Sequence, residues 1–108
     1  YIKFYGGDSK KTLEKLELPR IQMAFLDGYH TYEYVKMELE YVKDRQESGD
    51  IIVCDDYTAE QYPEIVKAID EFTQENLYQR KIPKELLLML EWLKSMVILS
   101  IEMVVLFQ

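Results

Sequence analysis

The sequence is poor in cysteine and in positive charge, and each shortage excludes a class of protein. The single cysteine, Cys54, can form no internal disulfide and no cysteine-based zinc site, so we interpret it as a small core residue in a reducing compartment. Acidic residues outnumber basic ones by 20 to 13, which gives a net charge of −7 and disfavours binding to nucleic-acid phosphates. We therefore expect a cytoplasmic location and no nucleic-acid partner.

Long uninterrupted apolar runs are also missing. The first residues lack the apolar stretch of a secretory signal, and without an initial methionine we expect a fragment or a processed chain. The candidate for a membrane span, residues 86–107, is interrupted by Glu91, Lys94 and Glu102, whose charges are costly at mid-membrane depth. We therefore expect no membrane association and interpret this segment as a core helix followed by buried strands.

What the sequence does contain is enough apolar material for one hydrophobic core. About 48% of the 108 residues are apolar, which suffices for a single domain and not for two of ordinary size. Short apolar runs alternate with stretches of helical periodicity. The predicted strands lie at residues 2–5, 21–26 and 51–54, and the predicted helices at about 9–16, 31–47 and 63–75. This alternation is typical of an α/β domain with a mainly parallel sheet and helices on its faces.

Residues with known positional preferences mark the starts of these helices. Ser9 and Thr31 are predicted N-caps, and Pro63 suits the first turn of a helix. The pattern is weaker after Asn76. There the predictions are a helix at 83–93 and strands at 96–101 and 103–107.

Acidic residues follow both central strands. Asp27 comes directly after residues 21–26, and Asp55 and Asp56 follow residues 51–54. Because neighbouring parallel strands lie about 4.8 Å apart and end at one edge of the sheet, we expect the three carboxylates to converge. Carboxylates this close need a bound cation or a shared proton, and oxygen ligands favour Mg²⁺, with Mn²⁺ or Ca²⁺ as alternatives. A simpler interpretation stays open, in which these aspartates cap helices or turns.

His30, the single histidine, lies in the loop that leaves the first of these strands. A lone loop histidine is usually solvated or caps a helix, but beside a metal site an imidazole that titrates near neutrality suits a general base. Tyr29 and Tyr57 flank the same acidic positions and are candidates to line a pocket for a flat or apolar ligand. Residues 27–75 carry 14 acidic and 4 basic side chains, so this part of the chain would attract cations.

Three stretches of residues 1–75 resemble the second half of a class I S-adenosylmethionine-dependent methyltransferase. The closest resemblance is to the metal-dependent O-methyltransferases, which include catechol and macrolide-sugar O-methyltransferases. The stretches are IKFYGGDS at 2–9, FLDGYHTY at 25–32 and GDIIVCDDY at 49–57. The last two agree with the family in both order and spacing.

The resemblance implies a function for particular residues. Asp27, Asp55 and Asp56 occupy the metal positions of the family, and His30 stands where members carry a lysine or histidine base. Asp8 and Ser9 stand where a loop meets the adenine of S-adenosylmethionine, and Tyr29 stands beside its methionine part. The implied reaction is O-methylation of a hydroxylated small molecule with Mg²⁺ or a similar divalent cation.

The resemblance covers only part of the family pattern. The glycine-rich cofactor turn and the acidic residue that holds the ribose have no counterpart here. The chain is therefore expected to be a single domain, residues 1–108, corresponding to the C-terminal part of a partial Rossmann-like methyltransferase fold and inactive by itself. Its last 30 residues should supply the closing antiparallel strand pair of the family. A half-sheet with an open edge and an apolar tail also leads us to expect a homo-oligomer.

Two other functions remain as alternatives. Residues 52–56 also look like the acidic first strand of a phosphoacceptor receiver domain, but that fold needs a later aspartate at a strand end, and residues 96–101 offer none. The chain could instead be a non-catalytic remnant or interaction module whose apolar segment at 86–107 binds a partner. Phosphorylation by a small phosphodonor would identify the receiver, and a glycine-rich turn upstream would identify the methyltransferase.

Overall fold

The computed structural model describes residues 5–28, 30–81 and 103–107. In this part of the chain three helices and four strands alternate along most of the sequence. Their order is α1 (Ser9–Lys15), β1 (Met23–Leu26), α2 (Tyr32–Lys43), β2 (Ile51–Asp55), α3 (Pro63–Glu75), β3 (Gln79–Lys81) and β4 (Met103–Phe107). The α/β class predicted from the sequence is confirmed for this region, and so are the positions of β1, β2 and β4 to within two residues.

The helices begin close to the predicted residues, with one change of capping residue. Thr31 is the N-cap of α2, and Pro63 occupies the first turn of α3. The prediction of Ser9 as the cap of α1 is wrong, because Asp8 takes that position and its Oδ1 accepts a hydrogen bond of 2.8 Å from the backbone N–H of Lys10. The Ser9 hydroxyl is thereby left to bond elsewhere.

The sheet is mixed, so the prediction of a mainly parallel sheet is wrong for the described strands. β1 and β2 are parallel neighbours, as expected for strands joined by a helical crossover. β4 pairs antiparallel with both β2 and β3, which gives the strand order β1-β2-β4-β3. β4 is inserted between two strands that precede it in the chain, and long-range pairing of this kind leaves no trace in local periodicity. An antiparallel closing pair, implied by the resemblance, is present as β3 and β4.

The core lies between one face of the sheet and the helices α2 and α3. Alternation along β2 and β4 directs Ile52, Cys54 and Leu106 toward the helices. The apolar stripes of α2 and α3 cover them at helical spacing. The largest fully buried side chains are Leu39, Ile52, Ile69, Phe72 and Leu106. This core fixes the ends of β1 and β2 relative to the first turns of α2 and α3.

Several predictions fall outside the described residues. These are most of the strand at residues 2–5, the helix at 83–93 and the strand at 96–101. Within the described residues, no helix is both long and apolar enough to span a membrane. β1 lies at one end of the described sheet with Met23 and Phe25 more than half exposed, and the expected homo-oligomer stays a prediction.

Candidate functional site

The parallel pairing of β1 and β2 brings their acidic ends side by side. Leu26 is in register with Cys54, so Asp27 leaves its strand next to Asp55 and Asp56. Asp55 is the last residue of β2, and Asp56 then adopts a φ of 59°, in the left-handed region. The chain therefore turns at Asp56, and the two consecutive carboxylates are not held on opposite faces as they would be in a continuing strand.

Three of the predicted residues form a group that could hold a metal ion. One ligand atom from each of Asp27, His30 and Asp56 lies within 4.8 Å of the others. His30 Nε2 is 2.7 Å from Asp56 Oδ2, which is a hydrogen-bond distance. The two carboxylates suit a hard divalent cation such as Mg²⁺ or Mn²⁺, whereas an imidazole is a ligand more typical of transition metals such as Zn²⁺.

Asp55 lies against this group without belonging to it. Its Oδ1 accepts a hydrogen bond of 2.8 Å from the backbone N–H of Asp56. The pKa of Asp55 is raised, first because partial burial disfavours the charged form, and also by the neighbouring carboxylates of Asp56 and Asp27 and a hydrogen bond with Asp27. Crowding of negative charge at this strand edge is the electrostatic condition that a bound cation would relieve.

The His30 ring is held on two sides. Its Nε2 meets Asp56, and its face stacks on Tyr62 with ring centroids 4.0 Å apart and an interplanar angle of 21°. Tyr62 directly precedes α3, so the start of this helix helps to orient the imidazole. No local pattern in the sequence links Tyr62 to a histidine 32 positions earlier.

A small cavity of about 20 Å³ lies beneath the acidic group, about the space that one water molecule requires. Its walls come from the ends of β1 and β2 and from apolar side chains of α2 and α3. The polar or small residues that line this cavity are Asp27, Gly28, His30, Glu38, Asp55 and Asp56. The acidic groups at the sheet edge therefore adjoin apolar side chains of the core on one side.

The two predicted adenine-contacting residues are held by a single helix. The Tyr34 hydroxyl donates a hydrogen bond of 2.8 Å to Asp8 Oδ2, and the Ser9 hydroxyl donates one of 2.9 Å to Glu38 Oε1. The bond from Tyr34 is the main reason why the pKa of Asp8 is lowered. Tyr34 and Glu38 are four residues apart and so share one side of α2. The turn at residues 8–9 is thus fixed against the same helix that begins beside His30.

The two remaining sequence candidates have different outcomes. Tyr29 lies outside the described residues. Tyr57 packs against the core and donates a hydrogen bond of 2.7 Å from its hydroxyl to Asp70 Oδ1. Arg80 donates to the same Tyr57 hydroxyl at 2.7 Å and also pairs with Asp70. The Tyr57 hydroxyl is therefore engaged by side chains of α3 and β3.

Sequence reasoning missed Glu38, the buried carboxylate nearest the site. It is 7% exposed and lies on the apolar side of α2 among Val35, Leu39 and Val42. The signal in the sequence that could have identified Glu38 is its position, because an acidic residue occupies a place in the apolar stripe of α2 where an apolar residue is expected. A buried acid of this kind must be hydrogen-bonded, and acids that interrupt an apolar stripe are candidates for function.

Comparison with known proteins identifies the family. A family model described as a methyltransferase domain matches residues 1–57, which is more than half of the 108-residue chain. The match includes Asp8, Ser9, Asp27, His30, Asp55 and Asp56, and it covers the acidic strand end on which the receiver alternative was based. No curated protein and no solved structure matches the chain significantly. From the family match, the chain belongs to the methyltransferase domain family.

Proposed function

We propose that this protein takes part in S-adenosylmethionine-dependent methylation of a hydroxyl group on a small molecule, assisted by a divalent cation. The observation that carries the proposal is the meeting of Asp27, His30 and Asp56 where two parallel strands end. In a methyltransferase domain, ligands for a hard cation beside an imidazole suit the activation of an oxygen nucleophile.

The carboxylates would hold the cation. Asp27 and Asp56 would contribute ligand atoms, and Asp55, which has a hydrogen bond with Asp27, would join or support them. A bound divalent ion supplies positive charge that lowers the pKa of a nearby hydroxyl group. The protein's own contribution is the spacing of the carboxylates, set by the pairing of β1 with β2.

His30 is the proposed general base. Asp56 and Tyr62 restrict the orientation of its ring, so little reorganisation is needed when an acceptor binds. The imidazole takes the proton of the acceptor hydroxyl. The oxygen then forms a bond to the methyl carbon of the donor as the bond from that carbon to sulfur breaks, which gives the methylated product and S-adenosylhomocysteine.

The methyl donor is proposed to bind with its adenine end near Asp8 and Ser9. S-adenosylmethionine is the general donor of methyltransferase domains. A cavity of about 360 Å³ lies between α1, β1 and α2, and Ser9 and Gly28 are among its polar and small wall residues while Leu13 and Leu26 are among its apolar ones. Apolar walls with a few placed polar groups suit a purine. Tyr29 is the proposed neighbour of the methionine part.

Metal dependence is the test of this proposal. In the intact enzyme that the family resemblance implies, transfer of a labelled methyl group to catechols or sugars should be lost on chelation and restored by Mg²⁺ or Mn²⁺. Asp56→Asn should weaken Mn²⁺ binding, measured by calorimetry, together with methyl transfer. Asp44→Asn is the matched control, because Asp44 is an exposed acid at the end of α2, and it should change neither quantity. Methyl transfer that survives chelation contradicts the metal role.

The role of His30 is tested separately. His30→Ala should reduce kcat by roughly a hundredfold or more while Mn²⁺ affinity changes little, because a general base contributes to the chemical step. Full turnover in this variant would assign the base to another residue. Loss of Mn²⁺ affinity would instead make His30 a ligand.

A further inference from the structure

Glu38 occupies an unusual position for a carboxylate. It is 7% exposed, whereas Glu33 on the same helix is exposed and Glu40 is only partly covered. Burying a carboxylate is costly unless partners compensate, and no ion pair among the described residues involves Glu38. An apolar residue would serve the core at this position at lower cost.

The Glu38 carboxylate holds the turn at residues 8–9 through a hydrogen bond. The Ser9 hydroxyl donates to Oε1 at 2.9 Å across 29 positions of sequence. Ser9 is the first residue of α1, because Asp8 has taken over the capping position. The bond therefore ties the start of α1 to the middle of α2.

The same carboxylate also lies against the turn at residues 27–28. An added Cβ at Gly28 would be 2.8 Å from Glu38 Oε1 and 3.4 Å from Oε2. The absence of a side chain at Gly28 is what allows the carboxylate to approach this backbone. Glu38 also lines both cavities, the small one beneath the acidic group and the larger one beside Ser9. It thus forms part of the wall between them.

We infer that Glu38 is a positioning residue for the methyl donor, which sets the Ser9 hydroxyl and the Asp27–Gly28 turn at a fixed separation. The inference rests on the proposed function, since it takes the turn at residues 8–9 as the donor-binding turn. The same contact keeps the donor side of the site aligned with the acidic group, where the acceptor oxygen would react. In methyl transfer the geometry of donor and nucleophile is the main contribution of the protein, so such a link affects binding and alignment together.

A set of variants separates this role from a merely structural one. Glu38→Met keeps the length and helix propensity of the side chain and removes the charge and the acceptor. Glu38→Gln keeps an oxygen that can accept from Ser9. Ser9→Ala removes the donor. Glu40→Gln is the matched control on the same helix, because Glu40 instead pairs with Lys43.

The measurement is the affinity of the intact enzyme, with its glycine-rich cofactor turn, for S-adenosylhomocysteine by calorimetry, with the unfolding temperature recorded for each variant. Glu38→Met should weaken binding by about 3- to 10-fold, the range that one lost hydrogen bond supplies. Its unfolding temperature should stay level or rise, because an apolar residue replaces a buried carboxylate. Glu38→Gln should restore most of the affinity. Adding Ser9→Ala to Glu38→Met should cause no further loss, and Glu40→Gln should bind as the unmodified protein does.

Two outcomes overturn the inference, and each has a distinct meaning. If Glu38→Met binds S-adenosylhomocysteine with unchanged affinity, or if the effects of Ser9→Ala and Glu38→Met add in full, Glu38 does not act through Ser9 on the donor. If the unmodified intact enzyme, with its glycine-rich cofactor turn, binds no S-adenosylhomocysteine, the proposed function fails and the inference fails with it.

Discussion

Replacing Gly28 with alanine should destabilise the fold by driving a methyl group into Glu38. The new Cβ would lie 2.8 Å from Oε1, closer than real Cβ atoms approach a neighbour, and 3.4 Å from Oε2. An exposed glutamate would simply rotate away, but this carboxylate is buried and bonded to Ser9. Overpacking of this kind costs about 1–3 kcal/mol in the free energy of unfolding, which here includes loss of the Ser9 hydrogen bond.

The assay is urea unfolding followed by circular dichroism, with a second glycine as the control. No described atom lies within 4 Å of the Cβ position at Gly6, so Gly6→Ala should change the free energy of unfolding by no more than about 0.5 kcal/mol. In a Glu38→Ala background the clash is gone, and Gly28→Ala should then cost little. The coupling between the two substitutions should reach about 1–2 kcal/mol, as for residues in contact.

Either of two results would refute this reasoning. One is a Gly28→Ala variant no less stable than Gly6→Ala. The other is a cost that persists undiminished without the Glu38 carboxylate, because the cause would then be the backbone at Gly28 and not the packing against α2.

Three further predictions concern the fold that carries the site. The Arg20 guanidinium holds the pKa of Asp50 below its usual value. The stability that this pair contributes is therefore complete above the ordinary aspartate pKa of about 4 and is lost as the pH falls through the lowered pKa. In an acid titration, Asp50→Asn should not show this loss of stability. Burial raises the pKa of Cys54 to about 12, so at pH 8 a disulfide reagent should modify the native thiol only as fast as the protein unfolds. Phe72→Ala should cost about 3–5 kcal/mol in urea unfolding, since Phe72 is fully buried, and little change would contradict its place in the core.

The local sequence was sufficient to predict the elements that carry the acidic residues. The apolar runs before Asp27 and Asp55 indicate β1 and β2, and the 3.6-residue spacing between them indicates α2. A single helix between two strands also predicts their parallel pairing, which is confirmed. These features depend on side-chain periodicity and crossover geometry, which are determined by residues close together in the chain.

Only the tertiary structure determines where β3 and β4 enter the sheet and how Ser9 and Gly28 contact α2. β4 enters the sheet between β2 and β3, and β3 itself is a short polar strand of Gln79–Lys81 that has no apolar pattern. Ser9 donates to Glu38 because Asp8 caps α1, and Glu38 is buried because α2 packs with this side toward the Asp27–Gly28 turn. These contacts join residues from 10 positions apart, as for Gly28 and Glu38, to 54 positions apart, as for Ile52 and Leu106. They are fixed by packing of the whole core, to which no local pattern corresponds.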